Sequence, residues 1–334
     1  MQSNRPMVGK APDLDVATIE EPRKLSLSVV LPVFEEEETI QRLIPQIVET
    51  LQADGNSFEV VVVDDGSQDG TPETLRGLQQ KYPGHVRVVR HLRNRGNGAA
   101  LRTGIRVASG EVVVSMDADG QHAPEQISQL TALIPPYDLV IGARTDQYRG
   151  GWQRGLANRF YNWFASWLAR QEVKDLTSGF RAMRRQAVSH FLHLFPDGFS
   201  APTTTTLSFL KAGYNIAFVP IEVRPRAGGR SKIRLLSDGS QFVVVILRMI
   251  MLYDPLRIFL PAGVLLVGIG VLAWVAGVVQ AERLVLPNSA ILSFIAALLI
   301  WLLGLLSSLI SNSLIQYYGD ETILVDELTS ASDT

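Results

Sequence analysis

The chain has 334 residues, 46% of them apolar and 19% charged, with a formal net charge of -2 and a mean hydropathy of +0.14. Ordinary globular domains carry about 25% charged residues, so a uniformly soluble composition is excluded, and a near-neutral chain without a basic tract gives no footing for nucleic acid. The absence of cysteine excludes disulfides and thiolate zinc sites.

Residues 1–24 contain Pro6, Pro12 and Pro22 but no compact apolar run, and read as a flexible leader without a signal-peptide pattern. From 25 to about 223, short β-branched runs alternate with amphipathic segments. Strands are predicted at 27–31, 59–63, 86–90, 111–116 and 138–141, and helices at 39–52, 71–82, 98–108 and 124–133. Such alternation predicts an α/β unit, 25–233, with a mostly parallel sheet covered by helices. A last strand, 216–223, leads through a loop into a juxtamembrane amphipathic helix, 234–256. The apolar character of that helix is broken by Asp238, Ser240, Gln241 and Arg248, as in helices that lie in a membrane interface.

No charged residue occurs in 258–281 or in 284–319. A bilayer core needs about 20 apolar residues in a helix, and 259–279 and 290–310 both meet that length, so 257–312 is predicted to form two transmembrane helices. The acidic stretch after them, 313–334, reads as a solvated tail. Lys232, Arg234, Arg248 and Arg257 precede the first span, against Arg283 in the connector. By the positive-inside bias the α/β unit faces the cytoplasm, on a multi-pass inner-membrane protein.

In a parallel α/β sheet, ligands bind beyond the carboxyl ends of the strands. There the sequence places Glu35 to Glu38 after the first strand, Asp64-Asp65-Gly66-Ser67 after the second, and Asp117-Ala118-Asp119-Gly120-Gln121-His122 after the fourth. A lone Asp-Gly after a strand is usually a turn, but three acidic strand ends on one edge repel one another unless a cation sits among them. Hard oxygen ligands of this kind suit Mg2+ or Mn2+ beside a nucleotide diphosphate.

The strings PVFEEEETI, VVVDDGSQDGT, NRGNGAALRTGI, MDADGQH, GAR, LTSGFRAMRR and RAGGRSK occur in this order. In order and spacing they resemble the family 2 glycosyltransferases of the GT-A fold. The closer similarity is to the polyprenyl-phosphate glycosyltransferases, the group of dolichyl-phosphate mannose synthase and of the bacterial two-span enzymes that load glucose or aminoarabinose onto undecaprenyl phosphate. The resemblance implies that Pro32, Phe34, Glu36 and Asp65, with the backbone of Val63, contact the base and ribose of a nucleotide-sugar donor. Phe34 and Glu35 depart from the Tyr and Asn usual there, which removes a hydroxyl and an amide at the nucleotide end.

Asp117, Ala118 and Asp119 match the family's DxD element. Asp119 is implied as metal ligand, Asp117 approaches the sugar and ribose, and Gln121 joins the metal or phosphate contacts; His122 reads as a structural hydrogen-bonder more than a third ligand. Arg144 and Arg154 correspond to phosphate-facing arginines, since guanidinium forks suit phosphate. Asp175, with Ser178 beside it, matches an acceptor-side element. There Asp175 orients acceptor or donor sugar, because an ionised polyprenyl phosphate needs no general base. Arg226, Ser231 and Lys232 match the RxxGxSK acceptor loop.

The implied reaction is inverting transfer of one sugar, UDP-glucose being preferred as donor over GDP-mannose, to polyprenyl phosphate at the membrane. The resemblance also implies a homo-oligomer, with a separate flippase and a downstream glycosyltransferase as partners. A processive polysaccharide synthase is disfavoured by the lack of a Gln-x-x-Arg-Trp element and by only two spans. A catalytically idle scaffold is disfavoured by the clustered carboxylates.

Overall fold

The computed structural model describes residues 26–144, 152–198, 200–224, 253–281 and 286–331, with positions 247, 250 and 251 between them. In chain order these form β1 (Leu27–Val33), α1 (Glu37–Ala53), β2 (Phe58–Asp64), α2 (Thr71–Lys81), β3 (Val86–Arg90), α3 (Asn97–Val107), β4 (Val112–Ser115), α4 (Ile127–Thr131), β5 (Leu139–Arg144), α5 (Trp152–Ala169), β6 (Arg181–Arg184), α6 (Arg185–Phe191), α7 (Ala201–Lys211) and β7 (Ile216–Ile221). Two long apolar helices follow, Leu256–Ala281 and Asn288–Ala331.

The strands make one seven-stranded sheet in the order β3-β2-β1-β4-β6-β5-β7. β1 pairs in parallel with β2 and β4, β2 with β3, and β5 with β7, whereas β6 is antiparallel to both neighbours. Every strand but β6 therefore points the same way. One edge collects the exits of β1, β2, β3, β4 and β5 together with the entry of β6, and the site lies on that edge.

Burial on both faces explains the β-branched runs. Leu27, Val29, Leu31, Val60 and Val62 face a core shared with α1. Val30, Val61 and Val63 alternate to the other side, against α3, α6 and α7. Helix α1 buries Ile40, Leu43, Ile44, Ile47, Val48 and Leu51, the stripe of an amphipathic helix.

Sequence and structure differ where local signals are weak. The predicted helix 124–133 is a 3-10 turn, Pro124–Gln126, running into the short α4. β6 was not predicted, because a four-residue strand of Arg-Ala-Met-Arg has no apolar run. α7 was not predicted either; its run Thr203 to Thr206 is β-branched, a poor helix signal. In the structure all four threonines are buried, and Thr204, Thr205 and Thr206 donate their hydroxyls to the carbonyls four residues back.

Within the two apolar helices, Leu256–Gln280 and Asn288–Ser313 have mean hydropathies of 2.4 and 2.5, with only 11% and 17% of their most apolar windows buried. A core helix of a soluble domain would be mostly covered, so these are two helices long and apolar enough to cross a membrane. They pack closely because glycines face large rings. A Cβ on Gly263 would lie within 2.1 Å of Trp301, on Gly270 within 2.7 Å of Phe294, and on Gly304 within 2.6 Å of Phe259. Trp301 Nε1 donates to Leu260 O at 3.1 Å.

The backbone stays helical through 313–331, where the sequence suggested a solvated tail. No glycine or proline follows Gly319 to stop the helix. The predicted juxtamembrane helix 234–256 lies mostly outside the described residues. Its end and the start of the first apolar helix are held to α5: Tyr253 Oη donates to Ala169 O at 3.2 Å, Arg257 Nη1 donates to Leu168 O at 2.9 Å, and the Arg257 guanidinium stacks 4.2 Å over the Trp167 ring.

Candidate active site

The exits of β1 and β2 are locked together. Asp65 N donates to Val33 O at 2.8 Å, Glu35 N to Ser67 Oγ at 2.9 Å and Glu36 N to Thr71 Oγ1 at 3.2 Å. Glu35 stands at φ 54, in the left-handed region that, glycine apart, asparagine and aspartate tolerate best. The Glu36 carboxylate accepts from Thr39 Oγ1 at 3.2 Å at the start of α1. Pro32 and Val63 face each other in the parallel ladder, and half-buried Phe34 follows at the edge.

The acids after β2 turn inward. Asp64 accepts Ser67 N at 2.9 Å and has Arg90 Nε 3.1 Å from its other oxygen. Asp65 accepts Arg95 N at 3.0 Å and Gly96 N at 2.7 Å, with His91 Nδ1 at 2.7 Å. The three acidic loops do share one edge, but they do not close around a cation together. Among the described residues, no three carboxylate or imidazole groups form a metal cluster. The physical reason is that backbone amides already neutralise the buried pair after β2.

The loop after β4 differs. Ala118 is buried in the core beneath it, leaving Asp117 and Asp119 half-exposed on either side. Asp119 accepts Gln121 N at 3.1 Å, and Gln121 O accepts Arg224 N at 2.8 Å. The Asp117 carboxylate rests on Gly179, where a Cβ would come within 2.5 Å of it, so the glycine of the SGF element is needed for that approach. A small cavity beside Asp117 is lined by Pro32, Asn97, Ser115, Gly179, Arg181 and Thr205.

His122 is buried and stacks on Phe180, with centroids 5.0 Å apart. Burial pushes its pKa down to about 4, against the opposing charge of Asp119, so the ring is neutral at pH 7. Two half-exposed carboxylates with the Gln121 side chain suit a small divalent cation, which is usually held by one or two carboxylates plus substrate phosphates rather than by a closed protein cage.

At the end of β5, Arg144 meets Asp175 in a bidentate pair, Nε to Oδ2 at 2.8 Å and Nη2 to Oδ1 at 2.9 Å, and Nη2 also donates to Thr177 Oγ1 at 2.6 Å. Asp175 further accepts the amides of Arg144, Thr177 and Ser178. Burial alone would raise the Asp175 pKa, but hydrogen bonds and charge from Arg144, with Arg181 behind, hold it below the usual carboxylate value. Burial likewise works against the Arg144 cation, and Asp175 with Asp117 raises its pKa above the ordinary guanidinium value. Two residues expected to face substrate separately thus face each other first. Ser178 is 1% exposed, with its hydroxyl unpartnered among the described residues, so it lies behind the edge rather than on it.

Sequence reasoning passed over Arg181. Its side chain is fully buried and donates to Ser178 O at 2.6 Å, Pro202 O at 2.7 Å, Thr206 Oγ1 at 2.8 Å and Leu176 O at 2.9 Å. Burial lowers its pKa to about 9, with Asp175 opposing. An arginine opening a four-residue strand was the available signal. The glycines of NRGNG receive another loop: Gly98 N donates to Gly198 O at 3.1 Å and Ala99 N to Asp197 O at 3.2 Å. Arg154 lies in α5 with its side chain outside the described residues, and Arg226, Ser231 and Lys232 lie outside them altogether.

Residues 28–192 match the glycosyl transferase family 2 model and residues 254–313 the GtrB C-terminal hairpin. The chain is 34% identical over 227 residues to a dolichol-phosphate mannosyltransferase of Pyrococcus furiosus, covering 63% of this chain and 60% of that one. It is 30% identical over 211 residues to an undecaprenyl-phosphate 4-deoxy-4-formamido-L-arabinose transferase of Edwardsiella ictaluri, covering 63% of each. The chain therefore spans a little under two thirds of the length of these relatives. Glucosyl-3-phosphoglycerate synthase from Mycobacterium tuberculosis, solved with Mn2+ and UDP-glucose, superposes with a TM-score of 0.53 at 26% identity over 68% of this chain and 78% of that one. With the acidic β4 loop and the Arg144–Asp175 pair on one sheet edge, residues 28–192 form a glycosyl transferase family 2 domain, followed at 254–313 by a segment that matches the GtrB C-terminal hairpin.

Proposed function

We propose that the protein transfers one sugar from a nucleotide-diphosphate donor to a polyprenyl phosphate, giving a polyprenyl-phosphate sugar and a nucleoside diphosphate. The observation that carries this reading is the half-exposed Asp117 and Asp119 on the same edge as the Arg144–Asp175 pair, in a domain held against a hairpin of membrane-length helices. The curated relatives act on dolichol phosphate and undecaprenyl phosphate by their names, which supports a lipid-phosphate acceptor. UDP-glucose is the preferred donor, in keeping with the UDP-glucose-bound relative, and GDP-mannose is the next.

Asp119, with Asp117 and Gln121, would hold Mg2+ or Mn2+, and a bound cation supplies Lewis-acid neutralisation of the charge that develops on the departing diphosphate. Pro32, Phe34, Glu36 and the Val63 backbone flank the nucleotide, and Asp117 faces the sugar. The acceptor phosphate is already ionised, so its oxygen attacks the anomeric carbon directly as the carbon–diphosphate bond breaks, with inversion. Asp175 is therefore no general base: locked and ionised by Arg144, it aims that guanidinium along the edge. Arg154, Arg226, Ser231 and Lys232 receive the acceptor phosphate at the membrane surface. The domain faces the cytoplasm at the inner membrane, as a homo-oligomer, and the product passes to a separate flippase and glycosyltransferase.

The test is the full chain in detergent or nanodiscs with undecaprenyl phosphate, Mg2+ or Mn2+, and labelled UDP-glucose or GDP-mannose. Label should enter the organic phase with one of the donors. No label with either, while a known transferase works in parallel, sinks the proposal.

A further inference from the structure

Asp65 lies within a hydrogen-bonded relay that starts on α3. Thr103 Oγ1 lies 2.9 Å from His91 Nε2, and His91 Nδ1 lies 2.7 Å from Asp65 Oδ1. A neutral ring that donates from Nδ1 to the carboxylate and accepts the Thr103 hydroxyl at Nε2 satisfies both contacts. His91 and Asp65 are 8% and 2% exposed, so no bulk solvent competes. Beyond Asp65 the relay ends on the amides of Arg95 and Gly96.

The relay shapes the 91–96 loop. That loop presses on Gly66, which stands at φ +78 and where a Cβ would meet the Arg93 carbonyl carbon at 2.6 Å. Its remaining side chains turn outward: Leu92 is fully exposed, and Arg93, Asn94 and Arg95 are exposed beside it. β3 is parallel to β2, and β2 to β1, so the loop stands on the same edge as Phe34 and Glu36. Both ring nitrogens of this buried histidine are satisfied, one of them by the carboxylate that also holds the loop amides.

We infer that His91 is a positioning residue for the nucleotide end of the donor: it fixes Asp65, Asp65 fixes the 91–96 loop, and the exposed Arg93 and Arg95 of that loop meet the nucleotide. The inference rests on the nucleotide-donor reading above and adds to it a residue and a loop that the family motifs leave without a role.

The full chain, with Mn2+, is titrated with UDP and with GDP and assayed for donor KM and kcat. His91→Leu, which fills the space and donates nothing, should weaken diphosphate binding and raise donor KM by about tenfold, the scale of one hydrogen bond to a charged group, with kcat changed less than about twofold. His91→Asn, whose amide can donate to Asp65, should recover most of that loss, which a role in filling space would not predict. Thr103→Val, which removes only the outer partner, should cost about threefold and covers the case in which His91→Leu does not fold. Wild-type binding with His91→Leu and Thr103→Val both unchanged overturns the inference alone, as does a fall in kcat at constant KM without rescue by His91→Asn. A wild-type chain that binds neither diphosphate overturns the donor reading, and this inference with it.

Discussion

The loops after β2 and β4 carry the same kind of sequence, two acids at the end of a buried parallel strand followed closely by glycine, yet they use their carboxylates differently. Asp64 and Asp65 are buried and held by Ser67, Arg90, His91, Arg95 and Gly96. Asp117 and Asp119 stay half-exposed, with Ala118 between them turned into the core. What separates the two is the supply of backbone amides. The 91–96 loop brings the amides of Arg95 and Gly96 to Asp65 from about thirty residues away, whereas the amide of Gln121 that meets Asp119 is local. Acid spacing marks the edge; the neighbouring loops decide whether an acid is buried behind it or half-exposed on it.

The comparison breaks first at Asp119. Asp119→Asn should lower transfer by about 10³-fold with little change in the thermal midpoint, because the side chain is half-exposed and asparagine keeps an acceptor for Gln121 N; near-wild-type turnover would remove the metal assignment. Asp65→Ala should do the reverse and strike stability. It leaves the buried His91 ring and the part-buried amides of Arg95 and Gly96 without their acceptor, at about 3 kcal/mol, read as a lowered denaturation midpoint. If unfolding is unchanged, the clamp does not hold the loop.

Arg144→Lys tests the second pair on the edge. A lysine keeps the charge but loses the fork onto Asp175, and kcat/KM should fall by about 30-fold; full activity would mean that the bidentate geometry is unimportant. The same pair sets an acid limit. The folded Asp175 pKa lies below the free value of 3.8, so its contribution to stability is complete above that value and is lost as pH falls through the lower folded pKa. Asp175→Asn should flatten that part of an acid-unfolding profile, and an unaltered profile would contradict the shift.

The smallest expected effect is a gain. Glu35→Asn at φ 54 should raise stability by about 0.5 kcal/mol by relieving left-handed strain, measurable as a small rise in thermal midpoint.

Much of the framework was legible because buried parallel strands write themselves as β-branched runs. β1, β2 and β3 fall where Val and Leu cluster, and the motif order set the edge. Legibility failed where tertiary contacts decide the structure. β6 and α7 depend on Arg181, whose guanidinium ties carbonyls of both the 176–178 segment and α7, and no local pattern announces a buried cation. Asp65 could not be told from Asp119 by spacing, since the amides that engage it come from some thirty residues away. Arg144 and Asp175 were legible as site residues but not as a pair, because only the antiparallel entry of β6 brings position 175 back to the exit of β5.

The hairpin's grip on the domain has a mechanical consequence. Arg257 ties α5 to the start of the first apolar helix, while Lys211 Nζ, at the end of α7, meets Ser311 Oγ at 2.5 Å near the far end of the second apolar stretch. One tether would leave a swivel. Two tethers on separate helices of a closely packed hairpin define a baseline, and the sheet edge then keeps one height and one tilt relative to it. On the proposed reading, with the hairpin across a bilayer, leaflet thickness would become a setting on the domain: a thicker or thinner membrane would shift the depth at which a lipid phosphate meets the edge.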